Sequence, residues 1–428
     1  MRILVNGASG LIGNAVCARL SAGGHEIVAA VRSADSLAPR SANRVIVADM
    51  AKTDAAGWAA HLRDVDVVIN CAGTLQDGPR EDTQAVHAVG ADALFAACEQ
   101  SGIRRVIHFS AIGVDREQPS AFSVTKHRGD MMLKTRDLDW VILRPSVVLG
   151  RAVFGASALF RGLAALPVVP VMAGTGALQV VQLDDVTETV AKLAEQHEPA
   201  KVELELAGPE RLSMEEIVAR YRDWMGWKPA RRWTVPDWLS RLLYRLGDLA
   251  GLLGWRPALR STASKEIGRG AVGDPAPWTQ ATGIVPTSLA AALARGPATV
   301  QDRWFAKLFF LKPVILVILA GFWISTGIIS LTIGYRIGLD LMIAAGTGAL
   351  AAPGVIAGAV ADLLIGVAIA WRPTARKGLW AAIALSLFYA VAGTVLLPEL
   401  WKEPLGPLLK IWPILALHFV ALAVLEER

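Results

Sequence analysis

The stretch RILVNGASGLIG, running from Arg2 to Gly13, decides the fold. Residues 2–5 form a short apolar strand, and Gly7, Gly10 and Gly13 follow it with the spacing GxxGxxG. Residues 11–20 then carry the pattern of a helix. A chain that must turn sharply at a strand end, bring its backbone against a pyrophosphate and aim helix amides at that phosphate needs glycine at these points. Three glycines alone are a weak signal, but their place directly after the first strand makes it a strong one. Arg2 ahead of apolar residues could suggest a secretory leader, yet Asn6 and the spaced glycines fit a strand–turn–helix better. The expectation is a cofactor cradle made by Gly7, Ser9, Gly10, Leu11, Ile12 and Gly13.

Outward from that turn the alternation continues. Residues 26–31, 44–47, 66–70, 106–110 and 140–143 read as strands, and residues 82–101 and 126–136 as helices. Strands alternating with helices predict an α/β fold with a doubly wound parallel sheet. Arg32 ends the second strand, about twenty residues past the glycines, where an acidic residue would hold the ribose of NAD(H) and an Arg accommodates a 2′-phosphate. The favoured cofactor is therefore NADP(H), with NAD(H) as the alternative. Asp49 and Met50 end the third strand, where adenine is expected. Cys71, Ala72 and Gly73 end the fourth, beside the expected ribose and nicotinamide. Ser213 and Glu216 form a capping box that opens a later helix. Residues 231–257 interleave arginines with Trp238, Leu242, Leu246, Leu249 and Leu252, a basic amphipathic pattern that suits either a headgroup plane or a helix packed on its own domain.

The far end of the chain is different. Four apolar runs, residues 313–333, 354–371, 378–397 and 408–425, each approach or exceed the ~18 residues that mark a transmembrane candidate. The chain of 428 residues is 53% hydrophobic and 19% charged, which suits a part-soluble, part-lipid-embedded protein. A net charge of +5 without a basic tail argues for membrane-facing bias rather than nucleic-acid binding. The three cysteines, Cys17, Cys71 and Cys98, are scattered, so neither a disulfide framework nor a metal cluster is suggested, and a reducing cytosol is the natural compartment. Arg303, Lys307 and Lys312 precede the first run, and Arg372, Arg376 and Lys377 lie between the second and third. By the positive-inside rule the N-terminal domain and the C-terminus both face the cytoplasm. The expected layout is a cofactor-binding domain over residues 1–295, with a substrate-lid region at 154–171, then a linker over 296–312 and a four-helix transmembrane domain over 313–428.

The order NGASGLIG, VADM, NCAG, HFSAIG, a Lys on the next helix and LRPSVVLG resembles the extended or atypical short-chain dehydrogenase/reductases. The closest subgroup is the one resembling the Rossmann-fold accessory subunit of respiratory complex I, and the likeness reaches the ATGIVPTSL segment at residues 281–289. The C-terminal part resembles DoxX-like membrane domains. In active reductases of this kind a Ser, a Tyr and a Lys form the catalytic group. The resemblance assigns those roles to Ser110 and Lys126, but the tyrosine position, four residues before the Lys, is Phe122. A phenyl ring has no proton to give. Ser120, Ser123 and His127 are the nearby alternatives. The motifs at Arg144-Pro145 and residues 182–186, with Asp184 and Asp185, are expected to brace the pocket.

Three functions are compatible with these residues. One is a membrane-tethered NADPH-dependent reductase of a hydrophobic carbonyl or quinone. Another is a non-catalytic NADPH-binding sensor or assembly subunit with partners in a membrane complex, and the third is nucleotide-sugar epimerisation, which suffers most from Phe122. In the membrane part, Asp362 and His418 fall near the middle of the second and fourth runs, and Gly354, Gly358 and Gly366 share a helical face with Asp362. The expectation is that this face meets a neighbouring helix and that Asp362 and His418 either pair or bond separately, for instance to Tyr389.

Overall fold

The computed structural model describes residues 1–34, 36–79 and 81–426. Its centre is a seven-stranded parallel sheet: β1 (Arg2–Asn6), β2 (Glu26–Val31), β3 (Arg44–Val47), β4 (Val67–Asn70), β5 (Arg105–Phe109), β6 (Asp139–Pro145) and β7 (Val202–Leu206), in the order β7-β6-β5-β4-β1-β2-β3. The chain winds one way through β1, β2 and β3 and the other way from β4 onward. The switch therefore falls between β1 and β4, where open α/β sheets bind ligands beyond their carboxyl ends.

The inner strands are apolar throughout because both faces are covered. On one face, α1 (Leu11–Ala22) and the helix Leu183–Glu195 bury Val16, Leu20, Val186 and Val190 against Ile3, Val5 and Ile69. On the other, Trp58 and the helix Gly90–Gln100, through Leu94 and Phe95, cover Leu4, Val28 and Val68. The last strand, β7, has no counterpart among the strands expected from sequence. Its sequence VELEL alternates charge with leucine because it is an edge strand, pairing among the described residues only with β6.

The region expected to be a lid is packed structure. Its helix, Ala156–Ala164, buries every residue from Ser157 to Ala164, and Arg161 is held by Asp302 at 2.8 Å. The strand Val168–Met172 then pairs in parallel with Arg231–Val235 in a separate two-stranded sheet.

The chain divides into two compact units: Met1–Leu249 with Pro257–Ala306, and Ala250–Arg256 with Lys307–Arg428. Residues 300–312, expected from sequence to be linker, are already helical, being the start of Val300–Leu331. Among the described residues three helices are long and apolar enough to cross a membrane, Val300–Leu331, Gly348–Ala370 and Ala375–Leu396, rather than four. The fourth apolar run forms the shorter helix Ile411–Val424, because residues 402–410 are spent in turns around Pro404, Gly406 and Pro407.

The glycine face meets three neighbours rather than one helix: Gly354 faces the Met342 side chain, Gly358 the Tyr389 hydroxyl and Gly366 the helix Val300–Leu331. A Cβ on Gly366 would lie 2.8 Å from the Ile324 amide nitrogen, and one on Gly327 would lie 2.6 Å from the Ala359 carbonyl, so these two helices touch backbone to backbone. Asp362 is buried and accepts from the Tyr389 hydroxyl at 3.2 Å. His418 accepts from the Trp323 indole at 2.9 Å and is bonded through Nδ1 to the Ile414 carbonyl at 2.7 Å. The two polar residues thus have separate partners. Hydropathy gave their depth, but which neighbour each side chain meets depends on helix rotation.

Candidate functional site

At the β1–α1 turn, Gly7 has φ +73°, and a Cβ there would lie 2.8 Å from the Ala72 amide nitrogen. A Cβ on Gly13 would lie 2.3 Å from the Gly7 carbonyl oxygen. Both positions therefore require glycine, one for torsion and one for helix–turn approach. Gly10 caps α1 without a side-chain hydrogen bond, and the first turn, from Leu11 and Ile12 onward, holds no acidic residue. The positive end of the helix is therefore not neutralised by a carboxylate of its own and suits a pyrophosphate, with Ser9 in the turn beside it. The residues present fit a dinucleotide.

Arg32 lies just past β2, solvent-exposed, with one guanidinium nitrogen 3.8 Å from Glu81. Asp49 is half-buried and accepts from the Ala51 amide, while Met50 is buried and its sulfur meets the Asn6 amide at 3.0 Å. Asn6 also donates to Asn70 Oδ1 at 3.0 Å, and Asn70 donates to His108 Nδ1 at 3.1 Å. A chain of buried amides and an imidazole therefore links the carboxyl ends of β1, β4 and β5 directly below Cys71, Ala72 and Gly73. Burial pushes the Cys71 thiol pKa up, so it stays a thiol.

The helix Ala121–Lys134 brings the remaining groups. Lys126 is buried, its Nζ donating to the Phe109 carbonyl at 2.8 Å and lying 3.4 Å from the Ala72 carbonyl. Burial lowers its pKa to about 8, partly opposed by Asp130. A Cβ on Gly73 would lie 3.3 Å from the same Nζ, so Lys126 sits against the NCAG turn as its motif implies. Phe122, one turn earlier, places its ring edge-on to His87 at 5.6 Å.

Ser110 is near this helix but its hydroxyl donates to Asp130 Oδ2 at 2.9 Å. Asp130 also receives Arg144, at 3.0 and 3.2 Å, and Arg144 in turn reaches Asp115 at 3.0 Å and Glu203 at 2.6 Å. Burial raises the Asp130 pKa, opposed chiefly by Arg144. Of the alternative proton donors, Ser120 and Ser123 both bond to Glu266 Oε1, Ser123 at 2.8 Å. His127 is half-buried on the same helix. Asp185 accepts from the Thr287 amide at 2.8 Å and its hydroxyl at 3.0 Å, so the motif at 182–186 and the ATGIVPTSL segment brace one another.

Two residues at this site escaped the sequence reading. His87, on the π-helical turn Ala85–Val89, accepts from the Thr74 amide at 3.0 Å through Nε2 and bonds Thr125 through Nδ1 at 3.0 Å. Burial, with help from Lys126 and His108, lowers its pKa to about 2, so it is neutral. No motif marks it. Asp130 could have been found, because it lies four residues past Lys126 and so on the same helical face.

Fold and turn geometry together define a Rossmann-type nucleotide-binding domain. The chain matches the NAD(P)H-binding family over residues 7–153 and the DoxX-like family over residues 320–419. It thus joins an NAD(P)H-binding Rossmann domain to a DoxX-like C-terminal domain. It is 30% identical over 219 residues to an uncharacterised protein of Mycobacterium tuberculosis (strain ATCC 25618 / H37Rv), in a match covering 51% of this chain and 23% of that protein. The chain therefore spans less than a quarter of that relative's length. It is 25% identical over 333 residues to sterol demethylase protein B of Methylococcus capsulatus, covering 71% of this chain and 99% of that one. Among solved structures, the UDP-glucuronic acid 4-epimerase of Bacillus cereus with UDP-glucuronic acid and NAD superposes with a TM-score of 0.54 at 20% identity, over 72% of this chain and 99% of that chain. That likeness is one of fold.

Proposed function

We propose that this protein is a membrane-tethered, NADPH-preferring oxidoreductase that reduces a hydrophobic carbonyl or quinone at the cytoplasmic face of a membrane. The observation that carries the reading is the buried Lys126 against Gly73, in register with the glycine turn, in a chain that also holds a DoxX-like domain. The cofactor, when bound, supplies a hydride. Gly7, Ser9, Gly10, Leu11, Ile12 and Gly13 would hold its pyrophosphate, Arg32 its 2′-phosphate, Asp49 and Met50 its adenine, and Cys71, Ala72, Gly73 and Lys126 its nicotinamide ribose. Ser110 would act as a positioning residue through Asp130. Similarity to a protein named for sterol demethylation supports an apolar substrate.

Phe122 favours a second reading, a subunit that holds NADPH without turnover. Full-length protein in detergent, titrated with NADPH and NADH and then assayed for NADPH oxidation with quinones and hydrophobic ketones, separates the two. Oxidation supports the reductase; tight NADPH binding with no oxidation by any acceptor overturns it in favour of the holding role. Phe122→Tyr should raise ketone reduction, since general acid catalysis contributes ~10²–10⁴-fold. An unchanged rate in that variant would place the proton source elsewhere.

A further inference from the structure

The helix Asp237–Leu252 has two unlike faces. At about 100° per residue, Tyr244, Gly247 and Asp248 fall on its inner side. Tyr244 bonds the Met172 sulfur at 3.0 Å, a Cβ on Gly247 would collide with the Leu259 carbonyl, and Asp248 accepts from Gln76 at 3.0 Å. The outer side carries Trp238, Leu242, Leu246, Leu249 and Leu252, each at least 44% exposed, and Leu253 continues it. Arg241 borders this stripe and Arg245 stands within it near that border, both exposed. A contiguous apolar patch of this kind is rare on a protein surface bathed only by water.

The segment after the helix indicates the occupant of this face. Residues Ala250–Arg256 belong to the second compact unit. The Leu253 carbonyl accepts from the Arg372 amide at 3.0 Å, the Trp255 indole donates to the Ala370 carbonyl at 2.7 Å, and the Arg372 guanidinium lies 5.5 Å from the Trp255 ring centre. Ala370 and Arg372 mark the end of one candidate span and the loop to the next. The C-terminal end of the amphipathic helix is therefore tied to the level where apolar spans give way to charged loop. We propose that the Trp238–Leu253 face lies in the headgroup layer of an anionic bilayer, with its leucines toward the acyl chains and Arg241 and Arg245 on lipid phosphates. This goes beyond the redox reading and stands whether or not the protein turns over.

The test uses the full chain in vesicles of phosphatidylcholine and phosphatidylglycerol, with a polarity-sensitive fluorophore attached at L242C, L246C or L249C. V285C, at an exposed position of the nucleotide-binding unit, is the control, wild type corrects for labelling of the native cysteines, and thermal unfolding confirms that each variant folds. Lipids bearing a nitroxide high on the acyl chain should quench all three helix labels by roughly two-fold or more and leave the control unaffected. Quenching should weaken in vesicles of phosphatidylcholine alone and in the R241E/R245E variant. Helix labels that respond like the control would overturn the proposal. So would labels that report an apolar setting yet escape the lipid nitroxide, since the face would then be covered by protein. Quenching that is indifferent to lipid charge and to R241E/R245E would overturn the anionic part.

Discussion

His87 and His418 are both buried, and their partners set the same tautomer in each: Nε2 accepts, from the Thr74 amide in one and the Trp323 indole in the other, while Nδ1 carries the proton. Their surroundings differ. His87 belongs to a crowded polar region at the carboxyl edge of the sheet, where Asn6, Asn70, His108, Lys126 and Asp130 also lie buried. His418 and Asp362 stand apart, each with one aromatic partner from another helix, and His418 also bonds the Ile414 carbonyl of its own helix. The nucleotide-binding unit concentrates polar groups where a ligand is expected, and the membrane unit uses them singly to hold helices together. A single deletion should therefore spread through the first unit and stay local in the second.

The strongest test is Asp130→Ala. It removes one of the three carboxylates around Arg144, leaving Asp115 and Glu203, and takes away the acceptor of the buried Ser110 hydroxyl; breaking a buried ion pair from one side costs up to about 3–5 kcal/mol. Thermal or denaturant unfolding of the purified protein should show a large loss. A loss no greater than that of an exposed substitution would mean that the cluster is not interdependent, and the contrast between the units would collapse.

Next in size is Arg32→Asp, which should remove or reverse the preference for NADPH over NADH. Charge-assisted hydrogen bonds contribute about 1.5–3 kcal/mol. Equal affinities of the wild-type protein for the two dinucleotides, measured by fluorescence titration, would end the case for NADPH.

The pH dependence of stability sharpens the comparison further. The folded-state pKa of His87 is about 2 against 6.5 for an unperturbed imidazole, so folding favours the neutral form. Its contribution is intact above pH 6.5 and erodes as pH falls below it, with a slope of up to ~1.4 kcal/mol per pH unit. His87→Gln should flatten the stability curve between about pH 6.5 and 4.5. An identical slope in wild type and variant would show that His87 does not stay neutral.

The smallest effect is expected in the membrane unit. A double-mutant cycle on Asp362→Asn and His418→Gln, read by thermal stability in detergent, should be additive to within about 0.5 kcal/mol. The cycle on Asp362→Asn and Tyr389→Phe should show a coupling near the ~0.6 kcal/mol typical of interhelical hydrogen bonds. Reversal of that order would restore the Asp362–His418 pair.

The first strand, its glycine turn and α1 were legible because torsion and close approach leave no residue but glycine at Gly7 and Gly13. The position of Lys126 followed from its motif, and geometry places it against Gly73. Other features had no local signature. Strand β7 hides behind alternating glutamates, since an edge strand can face solvent. His87 is placed by a π-turn, and nothing in the residues 85–89 announces one. The fourth apolar run met the length criterion as a sequence, but the turns set by Pro404, Gly406 and Pro407 just ahead of it extend into its first three residues before the helix begins. Ser120 and Ser123 read as open hydroxyls until a helix remote in sequence supplies Glu266.

The attachment of Ala250–Arg256 to the loop at Arg372 bears on modularity. The chain visits the membrane unit at residues 250–256, returns to the nucleotide-binding unit for residues 257–306, and re-enters the membrane unit at Lys307, within the helix of its first candidate span. A cut after Ala306 would not release an intact nucleotide-binding half: the Leu253 carbonyl and the Trp255 indole would lose the backbone groups that satisfy them. The two halves are interlaced along the chain, so recombination that swapped one membrane domain for another at that point would have to carry residues 250–256 with it.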